Sequence, residues 1–247
     1  MTPFPIRIVL VDSSHPGNIG AVARAMKNMG LRHLHLVRPR EFPHAEATAR
    51  ASGADDVLAA AVVCDSVGAA LEGCGLVLAT TSRGRDHYHR VFDVREAAQR
   101  AVAEAASAPV ALLFGAERTG LTNDDLRNAH GLLRIPTSDE YASLNLAMAV
   151  QVVSYELLRA SREVTPPPLL RTQPLASAQQ MDLLYEHLQV VLNDIDFRDR
   201  TQSGVNLITR IRAFLQRAEL DINEVNILRG ILSAVQQRRR RAGEQHS

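Results

Sequence analysis

"IRIVLVDSSHPGNIGAVARAMKNMG", Ile6 to Gly30, is the stretch on which the fold turns. It opens with a hydrophobic run broken only by Arg7. A polar turn with glycine follows. Then Ile19, Val22, Ala23, Met26 and Met29 recur at helical spacing. Strand, glycine turn and helix in that order suggest a grip for a nucleotide, but the glycines suit none of the usual grips. A Walker loop needs G-x-x-x-x-G-K-[ST], and no such lysine follows Gly17 or Gly20. A dinucleotide fingerprint needs G-x-G-x-x-G and an acidic residue after the second strand. Here there is G-x-x-G, and Arg38 and Pro39 stand where the acid belongs. An NADP-type variant that uses Arg38 remains open. The glycines that sheet-type methyltransferases place after their first strand are also missing. Asn18 sits where a helix N-cap belongs, and Asn is a good cap. Arg24 falls one position round from the apolar stripe, as a surface arginine would.

Outward from this stretch, residues 6 to about 160 alternate short apolar runs with helical patterns. The predicted strands are Arg7–Val11, His33–Val37, Ala61–Cys64, Leu76–Ala79, Val110–Phe114 and Leu132–Ile135. The predicted helices are Asn18–Met29, Ala45–Ala51, Val67–Leu71, Val94–Ala105, Asn123–Asn128 and Leu144–Arg159. Near-continuous apolar strands imply a parallel sheet covered on both faces, an α/β layered domain. Prolines 166–168 and 174 then mark a linker at 162–177. Three amphipathic patterns follow, Ala178–Asp194, Gly204–Arg217 and Ile222–Arg239, and predict a small helical bundle. The expected domains are therefore 1–161, a linker at 162–177, and a helical extension at 178–247.

Composition narrows the function. A formal net charge of +1 makes the whole molecule no polycation, so any nucleic-acid contact must come from local clusters. One such cluster is "TSRGRDHYHRVFD", Thr81 to Asp93, where Arg83, Arg85 and Arg90 interleave with rings. That mixture suits a splayed single-stranded base and its phosphates. Another is Arg238–Arg241, which could equally be a solvated helix end. Cys64 and Cys74 have neither metal-ligand spacing nor a disulfide framework and read as small core residues. His33/His35 and His87/His89 lack metal-ligand partners, so no metal is expected. There is no leader pattern and no apolar run approaching about 18 residues, so a cytoplasmic protein without membrane attachment is expected.

Two more segments bear on Asn18 and Arg24. In "LLFGAERTGLTNDDL", Leu112 to Leu126, a buried strand ends at Gly115, Glu117 follows, and Thr122 with Asp125 has capping-box spacing. In "IPTSDEYASLNLAMAVQVVSYE", Ile135 to Glu156, Ser143 and Asn145 stand at the mouth of a long helix. Its first turns carry small residues, Ala147 and Ala149, which permit close approach of another helix or chain.

"SSHPGNIGAVARAMKNMG", "LLFGAERTGLT" and "YASLNLAMAVQVVSYE" together resemble the three motifs of SPOUT-class RNA ribose 2′-O-methyltransferases, the TrmH-like branch. The tail, with "NILRGIL" at Asn226–Leu232, is similar to the C-terminal extension of the TrmJ proteins. The resemblance implies a trefoil knot in the C-terminal part of the α/β domain, a homodimer, and S-adenosyl-L-methionine as methyl donor. It places that donor on loops carrying Thr80, Thr81, Ser82, Gly115, Ile135, Ala142, Ser143 and Leu144. It makes Arg24 the activating residue, with Asn18, Glu117, Ser143 and Asn145 as its neighbours. A guanidinium stays protonated in proteins, so orienting the target suits it as well as acting as a base. The TrmJ-like tail implies tRNA as substrate, at the first nucleotide of the anticodon loop (position 32, cytidine or uridine). A non-catalytic RNA-binding relative is the rival from another class.

Overall fold

The computed structural model describes residues 5–81, 89–138, 140–162, 173–197 and 207–244. Its centre is a parallel sheet of seven strands: β1 (Ile6–Val11), β2 (His33–Val37), β3 (Val62–Cys64), β4 (Leu76–Thr80), β5 (Val91–Asp93), β6 (Val110–Phe114) and β7 (Gly131–Arg134). They lie in the order β3-β2-β1-β6-β4-β7-β5. In register, β1 runs beside β2 and β6, with Val9 opposite His35 and Leu113.

The period-2 alternation of β1 shows why the sheet must be sandwiched. Ile6, Ile8 and Leu10 enter one buried cluster, and Val9 and Val11 enter the other. The strands β6 and β4 divide in the same way, with Leu112 and Leu78 on the first face and Leu113 and Val77 on the second. The first face is covered by α1 (Pro16–Asn28), α2 (Ala45–Ala51), α3 (Asp55–Ala59), α5 (Val94–Glu104) and α6 (Leu146–Arg162). The second is covered by α4 (Val67–Ala70), a short 3₁₀ turn at Asp125–Asn128, and Ala178 at the start of α7 (Ala178–Asp194). Where α1 passes α2, Gly20 touches the α2 backbone, and a Cβ there would overlap the Ala47 carbonyl.

The expected α/β architecture is present, with three differences of substance. Helix α1 begins at Pro16, not Asn18. Its cap is His15, whose Nδ1 accepts from the Gly17 N–H at 3.2 Å, and Pro16 takes the first position, where a missing N–H loses nothing. Asn18 is thus inside the first turn with its amide free for other work. Secondly, Val91–Phe92–Asp93, which reads as part of a loop, pairs with β7 as an edge strand. Three residues are too few to show a periodicity. Thirdly, α3 has no counterpart among the predicted helices, and the Asn123–Asn128 helix shrinks to the 3₁₀ turn. The turn is held by the capping box expected of it: the Thr122 N–H donates to Asp125 Oδ2 at 2.8 Å, and the Asp125 N–H donates to Thr122 Oγ1 at 3.2 Å.

The tail is helical, in α7, α8 (Leu207–Ala218) and α9 (Ile222–Glu244). Ser177 and Gln180 form a reciprocal capping box that starts α7. Met181, Leu184, Tyr185 and Val225 make its core, with Leu215 and Leu228 packed against them. The bundle is tied to the sheet domain. Leu175 belongs to the first sheet cluster and Ala178 to the second. Glu219 pairs with Arg100 of α5. Most of the predicted linker and residues 204–206 lie outside the described residues. Among the described residues no helix is long and apolar enough to cross a membrane, and no cluster of His, Cys, Asp or Glu could hold a metal ion. Cys64 and Cys74 are free thiols in the core, and burial pushes Cys74 up to about 11.

Candidate active site

The carboxyl ends of β4, β6 and β7 open into a cavity of about 1000 Å³. A parallel sheet leaves its C-terminal loops at one edge, and ligands gather there. Thr80 and Thr81 follow β4, Gly115 follows β6, and Ile135 follows β7. All four line the cavity, and so do Ala142, Ser143 and Leu144 from the loop before α6. The loops are fixed to one another by hydrogen bonds to backbone carbonyls. Thr80 Oγ1 donates to the Leu113 carbonyl at 2.9 Å, and the Thr81 N–H donates to the Leu133 carbonyl at 3.0 Å. Gly115 is needed because any Cβ would overlap Gly120 and Leu121 across the turn. Ser82 lies outside the described residues.

Glu117 lines the cavity and is the hub of a network that spans all three motifs. Asn18 Nδ2 donates to Glu117 Oε1 at 2.7 Å. Ser14 donates twice to Oε2, from its N–H at 3.1 Å and from its hydroxyl at 2.8 Å. Asn145 Nδ2 donates to Asn18 Oδ1 at 3.2 Å, and Asn145 Oδ1 accepts from the Ala147 N–H at 2.9 Å, capping the start of α6. Partial burial alone would raise the Glu117 pKa. The hydrogen bonds from Asn18, its own backbone N–H and Ser14 outweigh that and hold it below the ordinary glutamate value. A carboxylate so fully engaged is a poor proton acceptor. It positions Asn18, and Asn18 positions Asn145.

Arg24 is elsewhere. It is exposed on α1, in a shallow groove with Ala21 and Asn28 on one side and Ala147, Met148 and Gln151 of α6 on the other. It is not among the residues lining the large cavity of its own chain. Arg90 pairs with Glu96 at 2.7 Å and sits 4.6 Å over the Phe92 ring. Arg83 and Arg85 lie outside the described residues. Arg38, the residue an NADP phosphate would need, is taken: its guanidinium donates twice to the Asp12 carboxylate, at 2.9 and 2.8 Å.

The sequence does not point to Thr209, Arg212, Ala213 and Gln216 of α8, which also line the cavity. The visible apolar stripe of that helix is Ile208, Ile211 and Leu215, and nothing in its polar residues betrays where they face. His89, Phe114, Arg118 and Leu121 line the cavity too.

Residues 5–155 match the SpoU rRNA methylase family. The chain belongs to that family. Residues 179–246 match the C-terminal domain of the tRNA methyltransferase TrmJ. The tRNA (cytidine/uridine-2′-O-)-methyltransferase TrmJ of Photorhabdus laumondii is 46% identical over 233 residues, which cover 94% of this chain and 96% of the relative. The crystal structure of TrmJ from Z. mobilis ZM4 superposes with a TM-score of 0.80 at 33% identity, covering 96% of this chain and 100% of that one. A structure giving insights into the 2-OH methylation of C/U34 on tRNA matches 64% of this chain and 97% of its own, with a TM-score of 0.53 and 29% identity.

Proposed function

We propose that this chain transfers a methyl group from S-adenosyl-L-methionine to the ribose 2′-hydroxyl of a cytidine or uridine in tRNA. One observation carries the reading: the Glu117–Asn18–Asn145 chain knits three segments, distant in sequence, together at the lip of a single cavity. The residues present fit the donor. Phe114, Leu133, Ile135 and Leu144 offer apolar surface for a purine, and Thr80, Thr81 and Ser143 offer polar groups for its ribose and amino-acid ends. The donor carries no pyrophosphate, so the missing glycine fingerprint costs nothing. When bound, the donor supplies an electrophilic methyl group on a sulfonium. The protein's part is to exclude water, align the hydroxyl and stabilise the charge that develops on it.

Glu117 is spent on its hydrogen bonds, so the group that orients the acceptor is Arg24. Its own chain leaves it on an open groove of small residues with Met148 62% exposed. We infer that the working unit is a homodimer, in which Arg24 of one copy serves the cavity of the other. The catalytic unit is assigned to 1–161, joined through 162–177 to a tRNA-binding extension at 178–247, acting in the cytoplasm. The trefoil threading belongs to the same reading. It is supported by a sheet in which β6 lies between β1 and β4, and β7 lies beyond β4.

Mass mapping of 2′-O-methyl groups on unmodified tRNA, incubated with protein and donor, tests the function. The expected product carries one new methyl on the first nucleotide of the anticodon loop, position 32. A methyl on position 34 instead moves the target within the loop, and no incorporation leaves the non-catalytic RNA-binding reading. For the mechanism, Arg24→Ala is expected to abolish turnover and to retain binding of S-adenosylhomocysteine. Near-normal turnover in that variant removes Arg24 from the reaction.

A further inference from the structure

The cavity has a wall that the catalytic domain does not supply. Thr209, Arg212, Ala213 and Gln216 lie at helical spacing on one face of α8, and all four line it. They belong to the same chain as the loops after β4, β6 and β7. The helix presents a different side to its own bundle, where Leu215 packs against the α7 core. Phe214 points away from both and is 49% exposed.

This face is built to dock. Ala213 and Gln216 are both 5% exposed. A glutamine buried to that degree needs a partner, and it has one: its side-chain amide donates to the Arg127 carbonyl in the 3₁₀ turn that forms the opposite rim. Arg212 is held rigid from behind. Its guanidinium lies 4.3 Å from the centre of the Tyr185 ring and 3.3 Å from Asp182 Oδ1, both on α7. One residue past α8, Glu219 pairs with Arg100 of α5. Two polar anchors, one at each side of the helix end, thus hold α8 against the catalytic domain. The cavity of about 1000 Å³ stands at the upper end of what a single small molecule fills, so α8 roofs it without closing it off.

We propose that α8 is part of the methyl-donor site: the extension assigned to tRNA also forms the outer wall of the pocket, with Gln216 as the residue that positions it and Thr209 and Arg212 facing the ligand. This rests on the reading that the cavity holds the donor. Donor and tRNA then touch one shared element, so binding of either changes the affinity for the other by the same factor.

Hydrogen exchange on the full-length protein, with and without S-adenosylhomocysteine, separates the two claims. The expected result is slowed exchange in 113–121 and 135–144, from the cavity loops, and also in Leu207–Ala218. Slowed exchange in the loops with α8 unchanged overturns the proposal and keeps the cavity assignment. No slowing in the loops overturns the cavity assignment itself. In parallel, Gln216→Ala is expected to weaken binding of S-adenosylhomocysteine about fivefold, the loss of one buried hydrogen bond, with an unchanged circular dichroism spectrum. Phe214→Ser, on the outer side of the same helix, is the control and is expected to bind normally. An affinity of Gln216→Ala within about twofold of the parent overturns the positioning role.

Discussion

Acidification should weaken the fold through one buried ring, His130. The residue sits just before β7 and is 6% exposed. Its backbone N–H donates to the Val77 carbonyl at 2.8 Å, and its Nδ1 accepts from the Val77 N–H at 3.0 Å. An accepting Nδ1 means a neutral ring with its proton on Nε2. Burial drives the pKa down from 6.5 to about 4; Glu219 opposes this, while Arg100 and His89 add to it. The folded protein therefore binds this proton later than the unfolded chain does. Between pH 6.5 and 4 the unfolded state holds more protons, so stability rises with pH in that window. Above it the neutral ring contributes its full effect, and below it the effect is gone. At about 1.4 kcal/mol per pH unit the whole difference is roughly 3 kcal/mol, and about 2 kcal/mol of it is lost by about pH 5. The assay is urea unfolding at several pH values for the parent and for His130→Asn, whose side-chain oxygen can still accept from Val77. His35, lowered to about 4 mainly by burial, titrates in both proteins and cancels in the comparison. The variant should show a flatter dependence between pH 4 and 6.5. Parallel slopes for the two proteins would refute the assignment of a neutral, buried ring.

Four further outcomes are expected. Glu117→Gln turns one carboxylate oxygen into a donor facing Ser14 or Asn18, so turnover should fall at least about tenfold while the fold survives. Because the Glu117 pKa is lowered, its contribution to stability is complete above about pH 4.5 and fades as pH falls through the lower folded value, which the same urea series will register in the parent below that pH. Gly20→Ala forces a methyl into the Ala47 carbonyl, and a loss of about 1–3 kcal/mol is expected in urea unfolding. Neutralising Arg83 and Arg85 together should weaken tRNA binding and flatten its salt dependence, the log–log slope falling by about 0.7 for each single-stranded phosphate that is no longer neutralised.

The layered sheet was legible because its strands are buried on both faces and its helices on one. Val9 and Ile8 differ in which cluster they enter, but both are apolar, so the run "IRIVLV" announces a central strand. Short edge elements carry no such mark. Val91–Asp93 is held by pairing with β7 and by Arg90 and Phe92 packing, which no local pattern encodes. The cavity loops were legible only through their resemblance to a family, since small and polar loop residues look alike anywhere. Asn18 shows the limit most sharply. Its place near a helix start fits a cap, and a cap is what local rules prefer. Its actual partners, Glu117 and Asn145, are 99 and 127 residues away. The contribution of α8 is hidden for the same reason: Gln216 reads as an ordinary polar helix residue until a carbonyl 89 residues distant is set against it.

The position of Arg24 leads to the sharpest test of the dimer. In one chain the polar network is complete and the cavity is formed, yet the arginine opens onto a different groove. If Arg24 acts across an interface, two inactive chains can rescue each other. One carries Arg24→Ala and an intact cavity. The other keeps Arg24 and carries Ala142→Trp, which places a large ring in the cavity mouth where Ala142 is exposed and its replacement disturbs no packing. Each is expected to be inactive alone. Mixed under conditions that exchange subunits, half the dimers are mixed, and one of the two sites in each pairs a sound cavity with a sound arginine. About a quarter of the parent activity should return, because a two-fold interface makes the two sites equivalent and independent. If Arg24 served its own chain, no combination would hold both parts, and the mixture would stay dead at every ratio.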